Sequence, residues 1–150
     1  MQRRYPSSPI AAVAAVILGE ESVLLVKRVN PPNPATWGLP GGAVELGETV
    51  KQALQREVKE ETGLEIESIE FLTIFDSIHQ DDHRQVEYHY VLFEYLCRVV
   101  AGVLSPASDI LEARWIPLAQ MNLVDIAPAT ARFMLKAADE NSVKRTSTGR

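Results

Sequence analysis

Apolar residues in this chain fall into two kinds of pattern. Ile10–Leu18 and Val23–Val26 are short, nearly unbroken apolar runs around the polar turn Gly19-Glu20-Glu21. Two such runs about a tight turn predict strands over Ile10–Leu18 and Val23–Arg28, closed as a β-hairpin. Ile66–Phe75 and Val86–Val100 are rich in aromatic and β-branched residues and read as longer strands, with the polar loop Asp76–Arg84 between them. Glu112–Pro117 reads as one more short strand. Thr49–Thr62 reads instead as a helix: Thr49 and Gln52 make a capping box at its start, and Gly63 supplies the left-handed stop. Ala127–Ala138 reads as a closing helix. The connections are Asn30-Pro31-Pro32-Asn33-Pro34, which prolines bar from helix or central strand, and the glycine-rich turn Trp37-Gly38-Leu39-Pro40-Gly41-Gly42. Residues 1–9 read as a loose arm and Asn141–Arg150 as a frayed tail. Together these elements predict one mixed α/β domain across residues 1–150.

Composition narrows what such a domain does. With 150 residues, 46% hydrophobic and 23% charged, the chain can bury one sizeable core, which excludes disordered, collagen-like and repeat architectures. Fifteen Lys and Arg against twenty Asp and Glu leave a net charge of −5, so no broad basic face is available for non-specific nucleic-acid binding. An anionic ligand needs local help, from a metal ion or a few well-placed basic groups. Arg3 and Arg4 ahead of Ile10–Leu18 superficially resemble a secretory signal, but Gly19-Glu20-Glu21 stands where a small-residue cleavage site belongs. No run is long enough to span a membrane. The single cysteine, Cys97, cannot form an internal disulfide; it reads as buried packing and fits a reducing compartment. A cytoplasmic location is the expectation.

The helix breaks its own pattern. At about 100° per residue, Val50, Leu54 and Val58 span an arc of about 80°, a core face. Glu61 falls inside that arc, about 20° from Val50, and Glu57 lies about 20° to its other side. Glu60 flanks them, so three carboxylates at i, i+3 and i+4 converge at the edge of an apolar stripe, where like charges repel and are costly to desolvate. A solvated acidic face is the alternative, but Lys51, Gln52, Gln55 and Lys59 already supply the wet side. A divalent cation offers the missing compensation. With all-oxygen donors and no His or Cys cluster nearby, Mg²⁺ or Mn²⁺ suits the site better than zinc.

From Gly42 to Leu64 the chain resembles the signature of the Nudix hydrolases, G-x5-E-x7-R-E-U-x-E-E-x-G-U with U apolar. Gly42, Glu48, Arg56, Glu57, Glu60, Glu61 and Gly63 fill every fixed position, and Val58 and Leu64 the apolar ones. The resemblance implies the Nudix α/β/α sandwich, a mixed sheet between helices. It implies Glu57, Glu60 and Glu61 as ligands of Mg²⁺ (Mn²⁺ as substitute), and Arg56 as structural partner of a box carboxylate. Glu48 is then either structural or a ligand of an additional metal, and Gly41, Gly42 and Gly63 serve backbone geometry. The implied reaction is hydrolysis of a nucleoside diphosphate linked to another moiety, by in-line attack of water rather than of a Ser or Cys nucleophile. The general base is then a box glutamate such as Glu60 or Glu61, or an outside carboxylate. Asp109 and Glu112, just before Ala113-Arg114-Trp115-Ile116-Pro117, are the outside candidates, with Asp76, Asp81 and Asp82 weaker ones; polar loop residues are the plain alternative.

Substrate choice is less sharply written. The hairpin, the Trp37–Gly42 segment and Tyr88-His89-Tyr90 leading to Asp109–Trp115 are similar to ADP-ribose pyrophosphatase-like members, which implies ADP-ribose cleaved to AMP and ribose 5-phosphate. A MutT-like (deoxy)nucleoside triphosphate pyrophosphohydrolase and a non-catalytic nucleotide sensor are the alternatives. Trp37 or Tyr88 can stack a base, or be core; Arg84 and His83 can contact phosphate, while His79 and His89 read as loop or strand residues. The Pro31–Pro34 stretch either borders the pocket or merely connects strands. Exposed apolar strand positions allow a homodimer, and monomer and dimer both stay open.

Overall fold

A computed structural model describes residues 2–30 and 36–123. The strands are β1 (Ile10–Ile17), β2 (Ser22–Arg28), β3 (Trp37–Gly38), β4 (Gly41–Ala43), β5 (Leu64–Gln80), β6 (Val86–Gly102) and β7 (Ile110–Pro117); α1 is Val50–Thr62, and a 3-10 turn follows at Leu118–Leu123. They form a mixed four-stranded sheet in the order β4-β1-β6-β5, with β1 parallel to β6, and an antiparallel three-stranded sheet in the order β3-β2-β7. The α/β class is as the sequence predicts. The Pro31–Pro34 connection, the helix expected at Ala127–Ala138 and the tail from Asn141 lie outside the described residues, as does any second helical layer.

Why β1 and β2 are continuous apolar runs follows from their two-sided burial. Val13, Ala15 and Ile17 of β1 and Leu24 of β2 pack with Ala53, Leu54 and Val58 of α1. Val16, Val23 and Leu25 point the other way, into a second core with Trp37, Leu96, Ile116 and Met121. The expected hairpin is therefore corrected. The turn does close, Gly19 N–H donating to the Ser22 carbonyl at 2.9 Å, but β1 and β2 part after a single bridge at Leu18 and Val23. Each is an interior strand whose two edges are taken by other partners, so the pair divides between the two sheets.

Two loop expectations are corrected as well. Trp37–Gly42 is not only a turn: Trp37–Gly38 joins the antiparallel sheet and Gly41–Ala43 the mixed one, with the Pro40 carbonyl accepting from Ala15 N–H at 2.8 Å between them. Asp76–Gln80 continues β5, because polar residues on an edge strand still pair through their backbones, here with Val86–Val91. The true turn is Asp81–Gln85, whose backbone N–H groups at His83 and Gln85 donate to the Asp81 carboxylate at 2.8 and 2.9 Å. β7 bears out the strand expected over Glu112–Pro117 and begins two residues earlier, at Ile110. The N-terminal arm, expected to be loose, runs along β6: Tyr5 N–H donates to the Glu87 carbonyl at 2.7 Å, Arg4 pairs with the Glu87 carboxylate at 2.7 Å, and the Tyr5 hydroxyl donates to Asp81 at 2.8 Å. Cys97 is buried in the first core, and burial pushes its thiol up to about 12, which suits packing and not nucleophilic chemistry. Among the described residues, no helix is long and apolar enough to cross a membrane.

Candidate functional site

The helix is placed by its own ends. Thr49 caps it, its side chain accepting from Gln52 N–H while the Gln52 side chain accepts from Thr49 N–H, and Gly63 closes it in the left-handed conformation. That fixes Arg56 beside the loop ahead of the helix. Its Nε donates to Glu48 Oε2 at 2.6 Å and its Nη2 to Glu48 Oε1 at 2.9 Å, a bidentate pair. Nη1 reaches Glu57 at 2.9 Å and Glu60, one turn on, at 3.2 Å, while Nη2 also donates to the Ala43 carbonyl at 3.0 Å. The Arg56 hydrogen bonds hold the Glu48 carboxyl below its ordinary range. For Glu57 burial outweighs the same guanidinium, and its carboxyl is raised.

Glu61 is handled separately. It lies in the buried face of α1, its side chain 3% exposed, and forms an ion pair with Arg28 at the end of β2. Gly41 N–H donates to Glu61 Oε1 at 2.9 Å, and Arg28 Nη2 donates to the carbonyls of Leu39 and Gly41 at 2.8 and 3.1 Å. Burial pushes Glu61 up to about 7 against the pull of Arg28 and the Gly41 N–H. The glycines make this approach possible. Gly41 sits at φ +153°, where a Cβ would collide with the Val13 carbonyl; at Gly42 it would stand 2.5–2.7 Å from the Glu57 carboxylate.

Four carboxylates, Glu48, Glu57, Glu60 and Glu61, thus face two guanidiniums, Arg28 and Arg56. Among the described residues no three His, Cys, Asp or Glu side chains meet at one point; each of these is turned to an arginine. The donor set still fits a hard divalent cation. It is all carboxylate oxygen, it carries excess negative charge, and the bare Gly42 backbone lets the Glu57 carboxylate lie where a Cβ would otherwise stand.

The remaining candidates are dispersed. Asp109 lies at the Arg28 end of β2, its carbonyl accepting from Val29 N–H at 3.0 Å. Glu112 is opposite Lys27 and pairs with Lys27 at 3.7 Å and Arg114 at 2.6 Å. Trp37 is buried in the same cluster, with Lys27 Nζ 4.9 Å from its ring centroid and the Arg114 guanidinium 5.9 Å away. Strand alternation sets Lys27 and Glu112 on the face of Val23, Leu25 and Ile116, away from Leu24 and α1. Tyr88 is buried in β6 across from His79, and Arg84 sits in the β5–β6 turn at φ +64°, at the opposite end of the hairpin from α1. Asp76 is paired through its backbone in β5, and the Asp81 carboxyl is lowered chiefly by the Gln85 N–H it accepts from.

Sequence reasoning missed two residues. Arg28 ends an apolar strand with a cation, a signal whose partner lies thirty-three residues on. Glu94 is a lone charge inside the apolar run of β6; it is 7% exposed, its backbone lies between Ala14 and Thr73, and its carboxyl group makes no hydrogen bond or ion pair among the described residues. Burial alone pushes its carboxyl up to about 7. A group raised in the folded state favours folding while protonated, so its stabilisation is complete below the unfolded value near pH 4.5 and is lost as pH rises through about 7. Glu94→Leu is accordingly expected to be more stable than the parent at pH 8 by about 2 kcal/mol, after discounting for residual solvation, with the difference fading by pH 5. Melting temperatures of both proteins across pH 5–8 check this; parallel curves would refute it.

The comparisons agree with this geometry. The NUDIX domain profile matches residues 8–137. The chain is 36% identical over 110 residues to an ADP-ribose pyrophosphatase of Methanocaldococcus jannaschii, covering 73% of this chain and 63% of that protein. It is also 36% identical over 110 residues to the 8-oxo-dGDP phosphatase NUDT18 of Mus musculus, covering 70% of this chain and 31% of that protein. The chain therefore spans between about a third and two thirds of the length of these curated relatives. The crystal structure of a MutT NUDIX hydrolase from Burkholderia pseudomallei superposes with a TM-score of 0.70 at 28% identity, covering 85% of this chain and 97% of that one. A family match over most of the chain, a complete box spanning α1 and its flanking turns, and the shared fold lead to one assignment: the chain belongs to the Nudix family.

Proposed function

We propose that this chain is a divalent-cation-dependent pyrophosphohydrolase that cleaves ADP-ribose to AMP and ribose 5-phosphate. The observation that carries the reading is the excess of carboxylates over guanidiniums on and beside one helix, at the places of a complete Nudix box. Glu57, Glu60 and Glu61 would hold Mg²⁺ or Mn²⁺, with Glu48 kept in reach by Arg56 for a further ion. When bound, the cation supplies positive charge against the diphosphate and lowers the pKa of water.

The protein's own groups do the rest. Arg56 positions Glu48, Glu57 and Glu60, and Arg28 positions Glu61 against the Gly41 backbone. Glu60, half exposed, would take the proton of the attacking water; Asp109, whose backbone carbonyl accepts from Val29 N–H, is the outside alternative, whereas Glu112 is engaged by Lys27 and Arg114. The ADP-ribose assignment is supported by the name of the Methanocaldococcus relative, and an oxidised deoxynucleoside diphosphate substrate by that of the mouse relative.

Product release from ADP-ribose, a nucleotide sugar, a dinucleoside polyphosphate and normal and oxidised (d)NTPs in Mg²⁺ tests the proposal. Preference for ADP-ribose supports it, preference for a triphosphate moves the protein to the MutT-like reading, and tight binding without turnover makes it a sensor. Gly42→Ala gives a finer check. The atoms nearest the new methyl group are those at the movable end of Glu57, so kcat is expected to fall roughly 100-fold while stability changes by no more than about 1 kcal/mol. Unchanged kcat would place Glu57 outside the reaction.

A further inference from the structure

We propose that Glu94 selects the base of the nucleotide, its carboxyl group donating to N1 of an adenine and accepting from the N6 amino group. The proposal rests on the nucleotide-hydrolase reading above and adds to it the group that recognises the base. A carboxyl group buried without a partner is unfavourable in a folded chain. Glu94 is 7% exposed, and no hydrogen bond or ion pair reaches its carboxyl. Thr73, directly opposite on β5, turns its hydroxyl to the Ile74 carbonyl instead. Among the described residues no sealed side-chain oxygen lacks a partner, so the partnerless Glu94 carboxyl keeps contact with solvent, from which a ligand reaches it.

The parallel pairing sets Glu94 opposite Ala14 and Leu96 opposite Val16, and opposed residues share a face. Glu94 therefore leaves the mixed sheet on the side where Val16 and Leu96 pack with Leu25, Trp37 and Ile116 of the other sheet. Its neighbours on that face of β1 are Ala14 and Ala12, whose methyl groups reach less far than a carboxyl. Ala14 is also opposite Gly41, so Gly41, Ala14 and Glu94 form one row across three strands. Two inter-strand steps, roughly 10 Å, thus separate Glu94 from the residue whose N–H holds Glu61, a span that a nucleotide covers from its phosphate to its base. α1 packs on the other face of this sheet, against Val13 and Ala15, so the base comes to Glu94 from the side of Trp37.

The surroundings of Glu94 decide which base. Burial alone acts on its carboxyl, raising it to about 7, and a base closing over it removes the remaining water and favours the protonated form. A protonated carboxyl presents one donor and one acceptor side by side, the complement of adenine N1 and N6. An ionised carboxylate presents two acceptors and suits guanine, which offers N1–H and N2–H.

Isothermal titration of the full chain with AMP, without divalent ions, tests this. Glu94→Leu is expected to bind AMP roughly 30-fold more weakly than the parent. Glu94→Gln, whose amide also offers one donor and one acceptor, is expected to stay within about threefold. Etheno-AMP, whose N1 and N6 are blocked, is expected to bind the parent as weakly as AMP binds Glu94→Leu. Melting temperatures separate recognition from folding: a structural role predicts a fall in Glu94→Leu, and none is expected. Equal AMP affinity in the parent and Glu94→Leu overturns the proposal, as does an absence of AMP binding to the parent, or tighter binding of GMP that Glu94→Gln weakens. ADP-ribose left intact by a chain whose AMP affinity depends on Glu94 overturns the reaction proposed above and upholds this contact.

Discussion

Glu60→Gln is expected to lower turnover of ADP-ribose in Mg²⁺ by roughly 10³-fold while shifting the melting temperature by no more than about 2 °C. The separation of the two effects comes from where Glu60 sits. Its side chain is half exposed and its one hydrogen bond among the described residues is that from Arg56 at 3.2 Å, which keeps Glu48, Glu57 and the Ala43 carbonyl without it. An exposed pair of this kind adds little to stability. Its charge, however, is one of those that would hold the cation, and an amide oxygen replaces it poorly. Glu61→Gln differs: it disturbs a buried ion pair as well, so activity and stability fall together. Steady-state kinetics across Mg²⁺ concentrations, with calorimetry on the same samples, distinguish the cases. Glu60→Gln within tenfold of the parent would remove Glu60 from the reaction.

Arg28→Met is expected to destabilise the fold by about 3 kcal/mol, or roughly 10 °C in melting temperature. The variant leaves Glu61 buried without its counter-ion and removes the donors to the Leu39 and Gly41 carbonyls. The double variant Arg28→Met, Glu61→Leu should recover most of the loss, because removing both charges is far less costly than stranding one. Thermal unfolding of the parent, the single and the double variant decides it. A single variant within about 1 kcal/mol of the parent would mean that Arg28 is replaced at Glu61 by another donor.

What the sequence made legible was local. The Thr49–Gln52 capping box, the Gly63 stop and the entry of Glu61 into the apolar arc of α1 all depend on residues within a few positions of each other, and all are present. Strand pairing is not local. The turn after β1 does reverse the chain, but whether β1 and β2 then pair depends on β4, β6, β3 and β7 competing for the same edges. The same limit applied to the site. Arg56 shares a helix with Glu57 and Glu60, while the Arg28–Glu61 pair joins two elements separated by the whole glycine-rich segment. Glu112, next to a Trp in sequence, proved to be tied to Lys27 of a neighbouring strand. Polarity misled at Asp76–Gln80, since an edge strand needs no apolar face to keep its backbone paired.

The parallel pairing of β1 with β6 bears on how the protein is made. Ile10–Ile17 is apolar throughout, and its neighbour on one side, β6, is first met at the register Ile10 to Tyr90. At roughly 5–20 residues per second, a ribosome takes about 4–16 s to synthesise the intervening chain. β4 can cover one edge of β1 early, at Ala12 to Ala43, but the other edge must wait. During that interval the nascent chain carries an uncharged, strand-forming segment with an open edge, the kind of sequence on which chaperones act and from which inclusion bodies grow.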